Sequence, residues 1–244
     1  DMIPLQDPLR GIKGVLNYFK YTYKVYSYDL LLINIWSISL LKRRYFITDN
    51  ELLNFFNAKK LELVDHQHAH IACAFYQTDL ESSKGISFDG SGNDGNFNLY
   101  EASRKNGIKL LDKIEGYSLG WKYSFFGLKA NSIRKEPSFW SEGGLVYPGK
   151  LMGLASYGNV KEEWKPHFNK FFTSPLDPNF QDYEILKSKC NLPDIYKDQL
   201  EHDIIATAQK SFEDTFDHLA RPWFQNEPTL LMSGGCSLNI INNQ

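Results

Sequence analysis

The sequence predicts an α/β domain. Three observations carry that expectation. Short apolar segments run twice into glycine turns: Lys84–Asp89 enters Gly90–Asn96, and Pro228–Ser233 enters Gly234-Gly235. Between them lie segments with apolar residues three and four apart, the spacing of amphipathic helices. The resulting order (strand, glycine turn, strand, helix, strand, glycine turn, helix) is that of an α/β nucleotide-handling domain. The composition agrees. At 42% hydrophobic and 15% aromatic, the 244 residues can bury a core and are no disordered chain.

The elements follow in order. Residues 8–26 (PLRGIKGVLNYFKYTYKVY) carry a helical apolar spacing. Leu30–Leu41 (LLLINIWSISLL) is the most apolar stretch. It falls well short of the ~20 residues of a membrane span and reads as a buried helix within 28–42, with Lys42, Arg43 and Arg44 at its C-terminus. Thr48 and Glu51 form a capping-box pattern at the start of a third helix, 49–57. The first 57 residues therefore read as a helical segment, and 58–244 as the core domain. In that core, Leu61–Asp65 is a short strand and 66–78 a helix. Residues 84–89, 97–103 and 107–115 read as strands of a meander. Parts of 118–132 and 145–157 read as helical, and 159–200 shows no clear pattern. A long amphipathic helix over 199–224 breaks near Pro222, and a buried strand over 228–233 leads into a last helix start.

Charge and cysteine content narrow the function. The balance of 27 basic and 29 acidic residues leaves no field that seeks phosphate backbones, so no nucleic-acid partner is expected. Cys73, Cys190 and Cys236 are too far apart for a metal motif or a disulfide framework, which predicts a reducing, cytoplasmic setting. No membrane partner is expected, because the most apolar stretch is too short to span a bilayer.

Four segments carry chemistry. In Asp65-His66-Gln67-His68-Ala69-His70, a helix puts His66 and His70 on one face, a common way to hold a divalent metal. The alternative is a polar helix face. A zinc peptidase needs Glu directly after the first His, and Gln67 stands there instead. In Phe88–Gly95 (FDGSGNDG), a strand delivers Asp89 to a sheet end, where Gly90, Gly92 and Gly95 permit a tight, phosphate-binding turn. A plain hairpin turn fits the same residues. In Ser233–Asn239 (SGGCSLN), Gly234 and Gly235 let the chain pass flat against a ligand, and Asn239 offers it a hydrogen bond. Strand–Gly-Gly–helix junctions are also common without a ligand. Lys150, in Gly149–Gly158 (GKLMGLASYG), is either a cation for an anionic substrate or a surface lysine.

Taken together and in order, these segments resemble one family. VDHQHAHIACAFY (64–76), FDGSGNDG, YSLGWKYSFF (117–126), GKLMGLASYG, DIIATAQKSFEDTF (203–216) and LMSGGCSLN (231–239) are similar to successive signatures of the nodulation-protein-U-type and antibiotic O-carbamoyltransferases. The resemblance implies an actin-like ATPase (ribonuclease H-like) fold with two α/β lobes. It implies an enzyme that makes carbamoyl adenylate from carbamoyl phosphate and ATP, then passes the carbamoyl group to a hydroxyl of a small-molecule acceptor. Related enzymes that carbamoylate tRNA or protein are the alternative within the superfamily, and a non-catalytic nucleotide-binding fragment is the alternative outside it.

Carried over by residue, the resemblance implies His66 and His70 as metal ligands with Asp89 beside them. It implies Gly90, Gly92 and Asn93 at the ATP phosphates, Gly234, Gly235 and Asn239 at adenosine, and Lys150 near the anionic donor. The metal is iron(II), manganese, zinc or magnesium. Two departures stand out: Gln67 replaces the second His of the usual opening, and Ser156 replaces a proline. The family pattern also extends beyond both ends of this sequence. The resemblance therefore implies a piece of a larger enzyme, inactive by itself.

Overall fold

The computed structural model describes residues 31–34, 48–90, 92–134, 143–175, 180–225 and 227–243. The chain divides into two compact units, Asp1–His66 and Gln67–Gln244.

In the first unit, β1 (Leu31–Asn34) pairs in parallel with β2 (Leu61–Val64), Leu31 opposite Leu61 and Asn34 opposite Val64. The helix expected over Leu30–Leu41 is thus corrected: its first part is a strand. A short unbroken apolar run fits a buried strand as well as a buried helix, because periodicity does not separate them. The helix expected over 8–26 and the basic residues at 42–44 lie outside the described residues. Between the strands, α1 (Asp49–Phe56) begins at the expected capping box. The Thr48 hydroxyl accepts from Glu51 N–H at 3.3 Å, and the Glu51 carboxylate accepts from Thr48 N–H at 2.8 Å. Each end of the box satisfies a donor that the first turn leaves open. Asn57 ends the helix in the left-handed region, at φ 50°.

The second unit is a four-stranded mixed sheet with helices on both faces. Its helices are α2 (His66–Tyr76), α3 (Leu119–Lys129), α4 (Gly143–Ala155), α5 (Lys165–Thr173), α6 (Gln181–Cys190) and α7 (Asp198–Phe224). Of these, α2 starts at the last residue of the first unit and otherwise lies in the second. Its strands are β3 (Ser82–Phe88), β4 (Phe97–Ser103), β5 (Gly107–Lys113) and β6 (Leu230–Ser233), in the order β5-β4-β3-β6. The first three form the antiparallel meander, and β6 adds in parallel beside β3, with Ser87 opposite Ser233.

Alternation along the strands decides which helix covers which face. Tyr100, Ala102 and Leu231 pack against Ile71 and Phe75 of α2. Gly85 leaves the room for this: a Cβ there would stand 2.5 Å from Ile71 Cδ1. Ile86, Phe88, Phe97 and Leu99 join the larger cluster formed with α3, α5, α6 and α7. In it Phe216 of α7 lies 4.9 Å from Phe88, ring centre to ring centre. The stretch 159–200, opaque in sequence, holds α5 and α6. Their Phe168, Phe171, Phe172 and Tyr183 are buried in the same cluster. Pro222 does not break α7 at once: the proline removes the one backbone bond its N–H would give the His218 carbonyl, and the helix ends two residues later at Phe224.

Candidate metal and nucleotide site

The two glycine turns meet at the carboxyl ends of neighbouring parallel strands. Asp89 follows β3 and Gly234 follows β6. Such strand ends are where open α/β sheets bind ligands. The contact between the turns explains both glycines. Gly234 has φ +90°, and a Cβ on it would stand 2.3 Å from the Phe88 carbonyl oxygen. A Cβ on Gly235 would stand 2.7 Å from Asp89 Oδ1. The second turn therefore lies directly against the first.

Helix α2 completes the arrangement. His66 and His70 are four residues apart on it, as their spacing predicts. One ring nitrogen from each and one Asp89 carboxylate oxygen all lie within 4.8 Å of one another, and all three residues are half-buried. His70 Nε2 is 3.0 Å from Asp89 Oδ2. Two ligands bound at ~2.1 Å to one cation stand at most ~4.2 Å apart. The cluster is thus within a sub-ångström adjustment of coordination, and two imidazoles with a carboxylate are a donor set that suits a divalent transition metal. Cys236 in the neighbouring turn is buried, and burial together with the Asp89 charge pushes its thiol well above the ordinary range, against a hydrogen bond from the Gly120 backbone.

The other expected site residues have different surroundings. Gly90 donates its N–H to Asp89 Oδ1 at 2.6 Å and lies near Trp121, whose Nε1 is 3.2 Å from where a Cβ would be. Gly92 is half-buried and Asn93 is exposed on the same turn. Asn239 is buried, and its side-chain amide pairs reciprocally with Gln209 of α7, both contacts at 3.1 Å. This joins two of the segments singled out in the sequence. Lys150 is exposed on α4. The loop after α4 is organised by Asp203 of α7, which accepts from Asn159 N–H at 2.9 Å and pairs with Lys161 at 2.8 Å. Burial raises the Asp203 carboxyl, but Lys161, Asn159 and Gln199 outweigh it and bring it down to about 2.

Sequence reasoning missed the buried polar residues under the cluster. Gln67, between the histidines, is wholly buried. Its side chain donates to the Gly95 carbonyl at 3.0 Å and accepts from the Ser87 hydroxyl at 2.5 Å. Asp94 is also buried and accepts from the Gln67 and His68 backbone N–H groups at 2.9 and 3.4 Å. Asn98 and Tyr100 of β4 support it. The available signal was Asn98, a polar residue between the apolar Phe97 and Leu99 of β4.

Fold and site together define an α/β protein with a His–His–Asp donor set beside paired glycine turns. A family model described as "Carbamoyltransferase N-terminus" matches residues 13–244. The chain belongs to the carbamoyltransferase family, and its chemistry is that of a transferase enzyme, the movement of a carbamoyl group from a donor to an acceptor. Among the described residues, no helix is long and apolar enough to cross a membrane.

Proposed function

We propose that the protein acts as an ATP- and metal-dependent O-carbamoyltransferase on an actin-like ATPase fold. The observation that carries this reading is the convergence of His66, His70 and Asp89 beside the Gly234-Gly235 turn. In the first step, carbamoyl phosphate, ATP and water give carbamoyl adenylate, with phosphate and pyrophosphate leaving. In the second, a hydroxyl of a small-molecule acceptor attacks the carbamoyl carbon, the C–O bond to AMP breaks and AMP departs.

His66, His70 and Asp89 hold the divalent cation, whose charge stabilises negative charge on the phosphates. Asp89 also fixes its own turn by accepting the Gly90 N–H. Gly90, Gly92 and Asn93 line the phosphates, with backbone N–H groups in a turn as the natural donors. Gly234 and Gly235 pass flat beside adenosine, and Asn239 ties that loop to α7 through Gln209. Lys150 meets the anionic donor from the exposed face of α4.

Calorimetric titration of ATP in the presence of Mn²⁺ tests the reading. The expected result is saturable, metal-dependent binding that His66→Ala and His70→Ala each weaken at least tenfold. ATP binding that ignores both the metal and these substitutions would remove the proposed site, and no binding at all would leave only a degenerate shell.

A further inference from the structure

We propose that Asp94 is the positioning residue of this cluster: its carboxylate clamps the first turn of α2 and so sets how His66 and His70 face Asp89. The inference rests on the metal-holding reading above. The first backbone N–H groups of any helix have no partner inside it. In α2 two of them, on Gln67 and His68, are taken by Asp94, with contacts of 2.9 and 3.2 Å from Gln67 and 3.4 Å from His68. These are the donors that a capping side chain takes. Here the acceptor comes from 27 residues further along the chain. It also puts a negative charge at the positive end of the helix dipole.

The source of the clamp is what gives it consequence. Asp94 and Asp89 lie on the same glycine turn, which Asp89 N–H closes by donating to the Asn96 carbonyl at 2.9 Å. One short loop therefore carries the carboxylate of the donor set and the anchor of the helix that bears the other two donors. The anchor is itself braced. The Tyr100 hydroxyl donates to Asp94 Oδ2 at 3.4 Å, Asn98 donates to the Asp94 carbonyl at 3.0 Å, and Gln67 bonds the next carbonyl, Gly95. Sliding or rotating α2 by one residue breaks these contacts and moves both imidazoles away from Asp89 together. An asparagine at 94 turns one acceptor into a donor facing backbone N–H groups. Asp94 contributes no atom to the donor set, so its part is orientation.

Co²⁺ titration of the 244-residue chain tests this, with apparent affinity, the visible d–d band and the thermal midpoint as readouts. The wild type is expected to give a saturable band that His70→Ala abolishes. Asp94→Asn is expected to weaken Co²⁺ at least tenfold, the loss typical of removing a partner that orients metal ligands, and to change the shape of the band. Tyr196→Phe breaks the buried hydroxyl pair with Tyr183 and serves as a destabilised control. It should lower the midpoint while leaving affinity and band unchanged. If Asp94→Asn does not fold, Tyr100→Phe, which keeps the carboxylate but removes its brace, should weaken Co²⁺ by about twofold to fivefold. Wild-type affinity and band in a folded Asp94→Asn, or in Tyr100→Phe where that stands in, overturn the inference and leave the metal reading intact. A wild type with no saturable, His70-dependent band overturns both.

Discussion

Substituting Gly235 by alanine should disturb the His66–His70–Asp89 cluster, and with it the proposed metal binding, while sparing the fold. The new Cβ would stand 2.7 Å from Asp89 Oδ1, where ordinary contacts begin at 3.4 Å, so the carboxylate must withdraw by about 0.7 Å. Gly235 has no positive φ, so the backbone itself accepts alanine. The atom in the way is the end of a short side chain and moves at little cost in stability. Metal sites tolerate only ~0.2 Å in ligand distance, so the displacement falls directly on affinity. Gly235→Ala should weaken Mn²⁺ or Co²⁺ at least tenfold in a calorimetric titration, with less than ~1 kcal/mol lost in urea unfolding. Gly234→Ala is the contrasting case. Its Cβ would meet the Phe88 carbonyl at 2.3 Å from a backbone at φ +90°, and neither backbone can yield. Strain and overpacking together should cost about 3 kcal/mol. If Gly235→Ala binds metal like the wild type, the packing of this turn against Asp89 has no bearing on the cluster. If Gly234→Ala is as stable as the wild type, the close approach of the two turns is wrong.

Two further outcomes concern the scaffold. Asp203 has its carboxyl lowered from an ordinary 3.8 to about 2. Because the folded value is the lower, the stabilisation is complete above about 3.8 and disappears as pH falls towards 2; the difference corresponds to about 2 kcal/mol. Asp203→Asn should lose about that much at pH 7 and show a flatter acid limb in urea unfolding between pH 6 and 2, and an unchanged limb would refute the assignment. Lys122 is buried, donates to the Phe171 carbonyl and to Ser174, and pairs with Asp182 at 2.9 Å. Lys122→Met leaves Asp182 and two carbonyls without their cation and should cost about 3 kcal/mol in denaturant unfolding; a neutral result would show that water replaces the ammonium.

What the sequence made legible was local. The Thr48–Glu51 box, the His66–His70 spacing and the two strand-to-glycine turns each depend on residues within four positions of one another, and each is found in the structure. Legibility failed where the partner is far along the chain. Leu31–Asn34 is a strand because Leu61–Val64 lies beside it. Lys122 looks like a surface residue of a helix until Phe171, Ser174 and Asp182, some 50 to 60 residues further on, surround its ammonium. Asp203 reads as an ordinary acidic position near a helix start, while its partners are 42 and 44 residues away at 161 and 159.

Gln67 shows how the same limit affects the reading of a site. In sequence it marks a departure, the place where a peptidase needs its Glu and where the resembling family has a second His. A residue one position after His66 points about 100° away around the helix. If His66 and His70 face Asp89, Gln67 must face something else, and the structure puts it against the sheet. There it needs one donor for the Gly95 carbonyl and one acceptor for the Ser87 hydroxyl. An amide supplies both, in one uncharged state at every physiological pH. A carboxylate supplies no donor, and its charge would sit close to the Asp94 carboxylate that already holds the Gln67 N–H. The residue that argues against a zinc peptidase thus anchors the helix that carries His66 and His70.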